Sequence, residues 1–219
     1  MPGDSILLDT NEAQQFSTDE EEGRVIPRHA SSLIVLRQGG AGPEILMGMR
    51  GAGHRFMPNC LVFPGGAVDP EDMDAPISTA LRPDTLYHLG KAADDRLVHG
   101  LGIACARELK EETGLTLGSP AALRGLHFLC RMVTPPDSPV RFNARFLVID
   151  SELVSGTIAG SGELEELRYL GLEDALARSL AVPTREVLNH FQLFLAMSPA
   201  EREARQTTPV FTRRHWNIE

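Results

Sequence analysis

The ten-residue stretch ARELKEETGL, at positions 106–115, concentrates groups that can do chemistry. It places three carboxylates and two cations in six consecutive positions and then stops on a glycine. At about 100° per residue, Glu108 and Glu112 lie one above the other on a helix, with Glu111 on the adjoining edge. Such like charges repel by roughly a few tenths of a kcal/mol per pair, and only Arg107 gives local relief. We call Glu108, Glu111 and Glu112 the stripe. It indicates either a site for a hard divalent cation such as Mg²⁺ or a solvated helix face.

The residues around this stripe indicate how a fold would hold it. The opposite side of the helix is small and mostly apolar, so that side can pack against a sheet. The carboxylates are then expected to face outward, into solvent or a cleft. Asp94 or Asp95 is placed to cap the beginning of the helix, and Gly114 to end it in a left-handed conformation. The residues of the packing side are Gly102, Cys105, Ala106, Leu109 and Thr113.

A strand and a glycine loop are predicted upstream of the helix. Residues 61–66 read LVFPGG, an apolar run interrupted by a proline and two glycines. Backbone N–H groups in such a loop can approach a phosphate chain. The order of strand, glycine loop and carboxylate-bearing helix therefore predicts a metal cluster beside a phosphate-binding loop. This chemistry suits diphosphate hydrolysis, in which cations must screen the phosphate oxygens and orient the attacking water.

The segment RELKEETGL resembles the second half of the Nudix box at every specified position. The full pattern is G-x5-E-x7-R-E-U-x-E-E-x-G-U, with U a bulky aliphatic residue. The resemblance implies an α/β fold, a Nudix-type α/β/α sandwich with a mixed sheet and a loop–helix–loop catalytic motif. The ligands that it implies for Mg²⁺ or Mn²⁺ are Glu108, Glu111 and Glu112. It also implies catalytic roles for Glu111, Glu112 and Arg107, with Arg107 orienting Glu111 rather than touching substrate.

The first half of the pattern can begin at either of two glycines. Starting from Gly65 places Glu71 at the glutamate position, whereas starting from Gly66 places Asp72 there. In this chain 35 residues separate Glu71 from the arginine of the second half, where the family has seven. We therefore expect an insertion at about 72–98, partly helical in composition. The resemblance implies that both glycines of the loop bind substrate.

An insert-bearing subgroup that includes a mammalian peroxisomal coenzyme A diphosphatase resembles this chain more specifically. The shared segments are the arginine-containing stretch before and through FPGG, the insertion, and TPPDSPVRFNARFLV at 134–148. Coenzyme A diphosphatases carry a motif before the glycine loop, and Leu46, Arg50 and Arg55 keep its register here. The departures from that motif are Met47, Gly48, Gly51 and Asn59.

This subgroup resemblance implies that Arg50 and Arg55 contact phosphates of the substrate. The implied reaction is hydrolysis of the diphosphate bond in coenzyme A or an acyl-coenzyme A. The alternatives are hydrolysis of ADP-ribose, NADH or a dinucleoside polyphosphate, or nucleotide sensing without turnover. The intact glutamate set favours an enzyme over a sensor.

A further acidic segment, GSGELEELRYL, follows the helix at some distance. In the family, a glutamate from a loop beyond the helix often completes the site or acts as base. Glu163, six residues before Tyr169, best matches that position and is the fourth candidate catalytic residue. The alternative is an ordinary solvated acidic loop.

Composition limits the partners of the chain. A net charge of −9 and a pI near 5.3 argue against a nucleic-acid polymer, which needs clustered Lys and Arg. The three cysteines have no C-x-x-C spacing, so neither a disulfide framework nor a zinc site is indicated. No apolar run is long enough for a membrane span and the N-terminus lacks signal-peptide features, so we expect a cytoplasmic protein. A homodimer is left open.

The 219 residues suit one well-buried core. We expect a mobile lead-in at 1–27 and a single Nudix-type domain at 28–219 with a helical C-terminal segment. Thr184 is placed to cap a helix running to about Met197, and Ser198 with Pro199 to begin another. The predicted strands are at 31–37, 44–50, 126–134, 140–150 and 167–172, with a hairpin between the first two.

Overall fold

The structure is a computed structural model that describes residues 25–51, 58–160 and 162–219. Strands β1 (Arg28–Gly39) and β2 (Gly42–Arg50) form the hairpin predicted from the sequence. The apolar run at the centre of β1 lies buried on both faces of the sheet, as continuous rather than alternating hydrophobicity indicates.

One nine-stranded mixed sheet forms the centre of the protein. Besides β1 and β2 it contains β3 (Leu61–Val62), β4 (Gly65–Ala67), β8 (His127–Val133), β9 (Phe142–Asp150), β11 (Leu164–Gly171), β12 (Pro209–Thr212) and β13 (His215–Ile218). In space the strands follow the order β11, β2, β1, β9, β8, β12 and β13, with β3 beside β2 and β4 beside β1. In this sheet the pairs β1–β9 and β8–β12 are parallel, and the others are antiparallel. Two small ribbons pair β5 (Ile77–Thr79) with β7 (Ala121–Ala122), and β6 (Leu115–Thr116) with β10 (Ser155–Gly156).

Helices cover both faces of the sheet, so the α/β/α sandwich expected from the sequence is confirmed. On one face, α2 (Asp95–Thr113) packs over Leu33 and Val35 of β1. On the other face, α3 (Leu172–Leu176) and α4 (Val182–Ala196) pack over the alternate side chains of the same strand. Among the described residues, no helix is long and apolar enough to cross a membrane.

Helix α2 begins and ends where the sequence predicts. The side chain of Asp94 accepts a hydrogen bond from the Leu97 N–H at 2.8 Å, and Gly114 ends the helix at φ 72°. All five residues of the predicted packing side are buried. Ser31 on β1 donates its hydroxyl to the Leu101 carbonyl at 2.7 Å, which fixes the helix against the strand.

The insertion between β4 and α2 is partly helical, as expected. It contains 3₁₀ turns at Pro70–Asp74 and Gly90–Ala92, strand β5, and the short helix α1 (Pro83–Leu89). Helix α1 lies beside β8, where the Thr85 hydroxyl donates to the Leu126 carbonyl at 2.8 Å.

The insertion is joined to the C-terminal part of the chain. Arg82 forms an ion pair with Glu203, and the Tyr87 hydroxyl donates to the Gln206 carbonyl at 3.3 Å. The side chains of His88 and Thr208 hydrogen-bond at 2.8 Å. We call Arg82 and α1 together with residues 203–208 the brace.

The C-terminal segment differs from the expectation in two ways. Thr184 does not cap α4, because the helix begins at Val182, with Pro183 in its first turn. The segment is also only partly helical, since after α5 (Pro199–Ala204) it forms the hairpin β12–β13, which extends the sheet beyond β8. The cap at Ser198 agrees with the sequence: its side chain accepts from the Glu201 N–H at 3.3 Å. Trp216 packs on this hairpin, and its indole N–H donates to Glu186 at 2.9 Å.

Candidate active site

The glycine loop and the carboxylate stripe meet directly. The Gly65 N–H donates to Oε2 of Glu112 at 2.8 Å. The Glu108 carboxylate lies against the Cα of Gly66, in space that a Cβ on that glycine would occupy. Gly65 has a φ of 154°, and a side chain there would collide with the backbone of β1. Glycine is therefore required at position 65, which brings a backbone donor to the carboxylates, whereas at position 66 a side chain would displace the Glu108 carboxylate.

Glu112 is buried, which corrects the expectation that all three carboxylates face outward. Only 2% of the residue is exposed, because β4 folds over the helix at this point. Burial, together with the negative charges of Glu108 and Glu163, raises the pKa of Glu112 to about 8. The Gly65 N–H and the positive charge of Arg50 oppose this increase. The protein therefore holds a carboxylate in a place where its charge lacks full compensation.

The other two glutamates are progressively more open to solvent. The side chain of Glu108 is 13% exposed, and that of Glu111 is 56% exposed. Desolvation raises the pKa of Glu108, although the ion pair with Arg107 counteracts the effect. The stripe thus runs from a buried carboxylate to one that reaches solvent.

Arg107 links the stripe to the insertion. One terminal nitrogen donates to Glu108 at 2.9 Å and to Glu111 at 3.0 Å. Its Nε and its other terminal nitrogen each donate to Asp72 at 2.9 Å, and the latter also reaches the Ala67 carbonyl. These bonds to Asp72 raise the pKa of the guanidinium, so Arg107 stays charged. The contact with Glu111 agrees with the orienting role expected for Arg107.

The same contacts decide between the two registers of the first half-pattern. Asp72 is 3% exposed and holds Arg107, whereas Glu71 is exposed on the 3₁₀ turn. The register that starts from Gly66 therefore describes this chain, with an aspartate at the glutamate position. The sequence contained this signal, because five residues separate Gly66 from Asp72, but the insertion obscured which acid returns to the helix.

The loop before β11 approaches α2 from the other side. The Ala159 N–H donates to the Thr113 carbonyl at 2.8 Å, so this loop wraps the C-terminal end of the helix. Glu163 is exposed, and its charge acts on both Glu108 and Glu112. The fourth candidate carboxylate thus raises the pKa of both of these glutamates of the stripe, without a direct contact to either among the described residues.

Arg50 ends β2 on the same side of the molecule. Its backbone pairs with Leu164, next to Glu163, and its charge lowers the pKa of Glu112. The Nε of Arg50 is buried and has no hydrogen-bond partner among the described residues. An anion beside the carboxylates would give this donor a partner. The other candidate arginine, Arg55, lies outside the described residues.

The residues present fit a hard divalent cation by their chemistry. They offer carboxylate oxygens, a glycine wall that leaves space for Glu108, and a buried negative charge whose raised pKa an added cation would relieve. Within the described parts of the chain, no three acidic, histidine or cysteine side chains converge closely enough to enclose one ion. In this arrangement Arg107 occupies oxygens of both Glu108 and Glu111.

Comparisons with known proteins give the fold. No family model and no curated protein matches the chain. Among solved structures, a Nudix hydrolase from Alicyclobacillus acidocaldarius is 24% identical with a TM-score of 0.59, over 75% of this chain and 90% of that one. A MutT Nudix hydrolase from Burkholderia pseudomallei is 21% identical with a TM-score of 0.50, over 76% and 98%. The MutT protein from Methanosarcina mazei is 20% identical with a TM-score of 0.50, over 79% and 99%. Over about three quarters of its length the chain shares the fold of these Nudix hydrolases.

Proposed function

We propose that the chain is a metal-dependent Nudix hydrolase that cleaves the diphosphate bond of a nucleoside diphosphate linked to another moiety. The observation that carries this proposal is the junction of the glycine loop with the stripe, where Glu112 accepts the Gly65 N–H and Glu108 lies against Gly66. The shared fold with Nudix hydrolases supports it.

The stripe is the proposed metal site, with Glu108, Glu111 and Glu112 as ligands for Mg²⁺ or Mn²⁺. When bound, such an ion would screen the diphosphate oxygens and acidify a water molecule. The carboxyl group of Glu112 is already buried, so it would lose little further solvent, and a bound cation would favour its charged form. Arg107, fixed by Asp72, limits the positions available to Glu108 and Glu111.

Two further residues have proposed roles in the reaction. Glu163 is proposed to take a proton from the attacking water; its exposure and the effect of its charge on Glu108 and Glu112 support this role. Arg50 is proposed to donate its unpartnered Nε to a phosphate oxygen. Gly65 and Gly66 are proposed to line the substrate space, although Gly65 uses its own N–H to hold Glu112.

Coenzyme A or an acyl-coenzyme A is the proposed substrate, because Arg50 stands at the position of an arginine in the coenzyme A motif. The products would be 3′,5′-ADP and a 4′-phosphopantetheine. Hydrolysis of ADP-ribose, NADH or a dinucleoside polyphosphate is the rival reaction. We propose a small-molecule substrate and a cytoplasmic location, without a nucleic-acid polymer or membrane as partner.

A panel of diphosphates tests the reaction and its substrate together. The purified protein is incubated with Mg²⁺ and coenzyme A, an acyl-coenzyme A, ADP-ribose, NADH or a dinucleoside polyphosphate, and the products are identified by mass. Cleavage that requires the cation and is fastest for a coenzyme A ester supports the whole proposal. Faster cleavage of ADP-ribose or NADH replaces the substrate and keeps the reaction. Tight nucleotide binding without any cleavage identifies a sensor instead.

A further inference from the structure

Strand β2 has a gap at Gly48, which we call the notch, and Leu164, the residue after the candidate base Glu163, lies against it. Gly48 is buried, and it lies two residues from Leu46, so both face α2. A Cβ on Gly48 would lie 2.9 Å from the Cβ of Leu164 and 3.0 Å from Cδ2 of Leu167. These contacts are shorter than carbon atoms tolerate, and the first is made close to the backbone of β11. The side chains of Leu164 and Leu167 therefore occupy space that is open only because position 48 has no side chain.

A bulge in β11 lets two leucines fill this notch. Between Glu165 and Arg168 the strand advances three residues while β2 advances two. In a regular strand Leu164 and Leu167 would face opposite sides of the sheet, but the extra residue turns both toward Gly48. Glu166 takes the left-handed conformation in this bulge, at φ 50°. Leu164 is 2% exposed, so the beginning of the strand is firmly packed.

The segment that carries Glu163 is thus held at both ends. At one end the Ala159 N–H donates to the Thr113 carbonyl, one residue after Glu112. At the other end Leu164, the residue after Glu163, fills the notch. Glu163 therefore directly precedes a residue whose side chain is fixed in the notch.

We propose that Gly48 is a positioning residue for Glu163, because the notch at Gly48 receives Leu164 and thereby fixes Glu163 beside the carboxylates of α2. A side chain at position 48 would push the beginning of β11 outward and carry Glu163 with it. This inference rests on the proposed function, since it gives Glu163 a role at the metal and in proton transfer.

A double-mutant cycle separates positioning from simple packing. The variants are Gly48→Val, the milder Gly48→Ala, Glu163→Gln, and each Gly48 variant combined with Glu163→Gln. The dissociation constant of Mn²⁺ alone is measured by electron paramagnetic resonance of the free ion, and kcat is measured on the best diphosphate of the panel. Thermal unfolding establishes that each protein is folded at the assay temperature.

Gly48→Val is expected to weaken Mn²⁺ binding or lower kcat by about tenfold to a hundredfold, as loss of a supporting contact does. Glu163→Gln is expected to do the same, and the double variant to be no worse than about twofold beyond Glu163→Gln. Gly48→Ala should show a smaller effect with the same coupling. Gly40→Ala, in the same hairpin with nothing within 4 Å of the added carbon, should match the wild-type protein.

Effects of Gly48 and Glu163 that add in both measurements would overturn the inference, because Gly48 would then act by packing alone. A folded Gly48→Val protein that equals the wild type in both measurements would overturn it as well. If the wild-type protein cleaves no diphosphate but the Mn²⁺ cycle is coupled, the proposed reaction fails and the positioning role stands.

Discussion

The stripe at Glu108–Glu112 and the brace both bury a titratable side chain, but they do so in opposite electrostatic settings. In the stripe, burial raises the pKa of Glu112 to about 8, and neighbouring carboxylates add to the effect. In the brace, burial lowers the pKa of His88 to about 4, so the imidazole is neutral near pH 7. Each group is driven toward its uncharged form, as desolvation requires.

The surroundings of the two groups differ. His88 hydrogen-bonds to Thr208 and stacks on Phe128 with ring centroids 5.1 Å apart, and the nearby Arg82 is paired with carboxylates. Glu112 has one backbone donor and faces other negative charges. His88 is neutral and keeps one hydrogen bond, although its buried Nε2 has no partner among the described residues. The stripe instead holds carboxylates close enough to disfavour one another's charge, which an external cation would relieve.

The largest effect is expected for Glu112→Gln. Loss of a ligand charge should lower kcat/KM by about a hundredfold to a thousandfold, which corresponds to roughly 3–4 kcal/mol of transition-state stabilisation. Glutamine keeps an acceptor for the Gly65 N–H. Steady-state kinetics with Mg²⁺ measure the loss, and Glu108→Gln should behave similarly. Unchanged turnover in either folded variant would remove α2 from the mechanism.

The same substitution should stabilise the metal-free protein at alkaline pH. Because the folded pKa of Glu112 lies above that of an ordinary glutamate, the folded state binds the extra proton and loses stability as pH rises toward about 8. Removing the charge should raise the free energy of unfolding by about 1–3 kcal/mol at pH 8.5. Urea unfolding without metal measures this gain, and a variant less stable than wild type would contradict the comparison.

Asp72→Asn should show that Asp72, and not Glu71, is the acid of the first half-pattern that supports the site. Because Asp72 holds Arg107 with two bonds of 2.9 Å, its neutralisation should free the guanidinium and lower kcat by about tenfold to a hundredfold. Glu71→Gln is the matched control next to it, and it should leave kcat unchanged because Glu71 is exposed. Equal kinetics for the two variants would show that the buried pair does not support the site.

Arg50→Ala tests whether the side of the protein that carries the stripe binds a substrate phosphate. Loss of a charge-assisted contact should lower kcat/KM for coenzyme A by about tenfold to a hundredfold. If the contact is to the 3′-phosphate, activity on dephospho-coenzyme A should fall much less. Exposed Arg178→Ala on the opposite face of the sheet serves as control. An equal loss on both forms of coenzyme A would mean that Arg50 does not read the 3′-phosphate.

The smallest effect is expected in the brace, and on stability rather than activity. A buried neutral histidine makes the unfolded state bind more protons below pH 6.5, so stability should fall as pH drops from about 6.5 toward 4. About 2 kcal/mol should be lost by pH 5, and His88→Gln should reduce this dependence. Unfolding free energies from pH 5 to 8 test it, with kcat at pH 8 as the control that should not move.

The sequence predicted the parts of the site that depend on local pattern. The α2 helix was predicted from a cap at Asp94 or Asp95, from Gly114 and from its apolar side; the structure has the cap at Asp94, the glycine and the buried side. The β1–β2 hairpin was predicted from two apolar runs around a glycine-rich turn. These features depend on neighbours within a few residues, where helix and strand periods and glycine conformations are decisive.

What the sequence did not predict depends on long-range contacts. The helical period alone placed Glu112 outward, because it cannot show that β4 folds back over the helix. The choice of Asp72 over Glu71 is made by a contact across 35 residues of chain. The hairpin that contains Trp216 was missed because its strands are only four residues each, and it joins the sheet through the pairing of β12 with the distant β8.

The brace also determines the order in which the protein can be completed during synthesis. Its three attachments join residues 119 to 121 positions apart, from Arg82, Tyr87 and His88 to Glu203, Gln206 and Thr208. Contacts of such separation form late, and on a ribosome they cannot form until the C-terminal partners have emerged. Helix α1 is therefore translated more than a hundred residues before the partners that complete the brace. Those partners thus secure an element that is translated before α2.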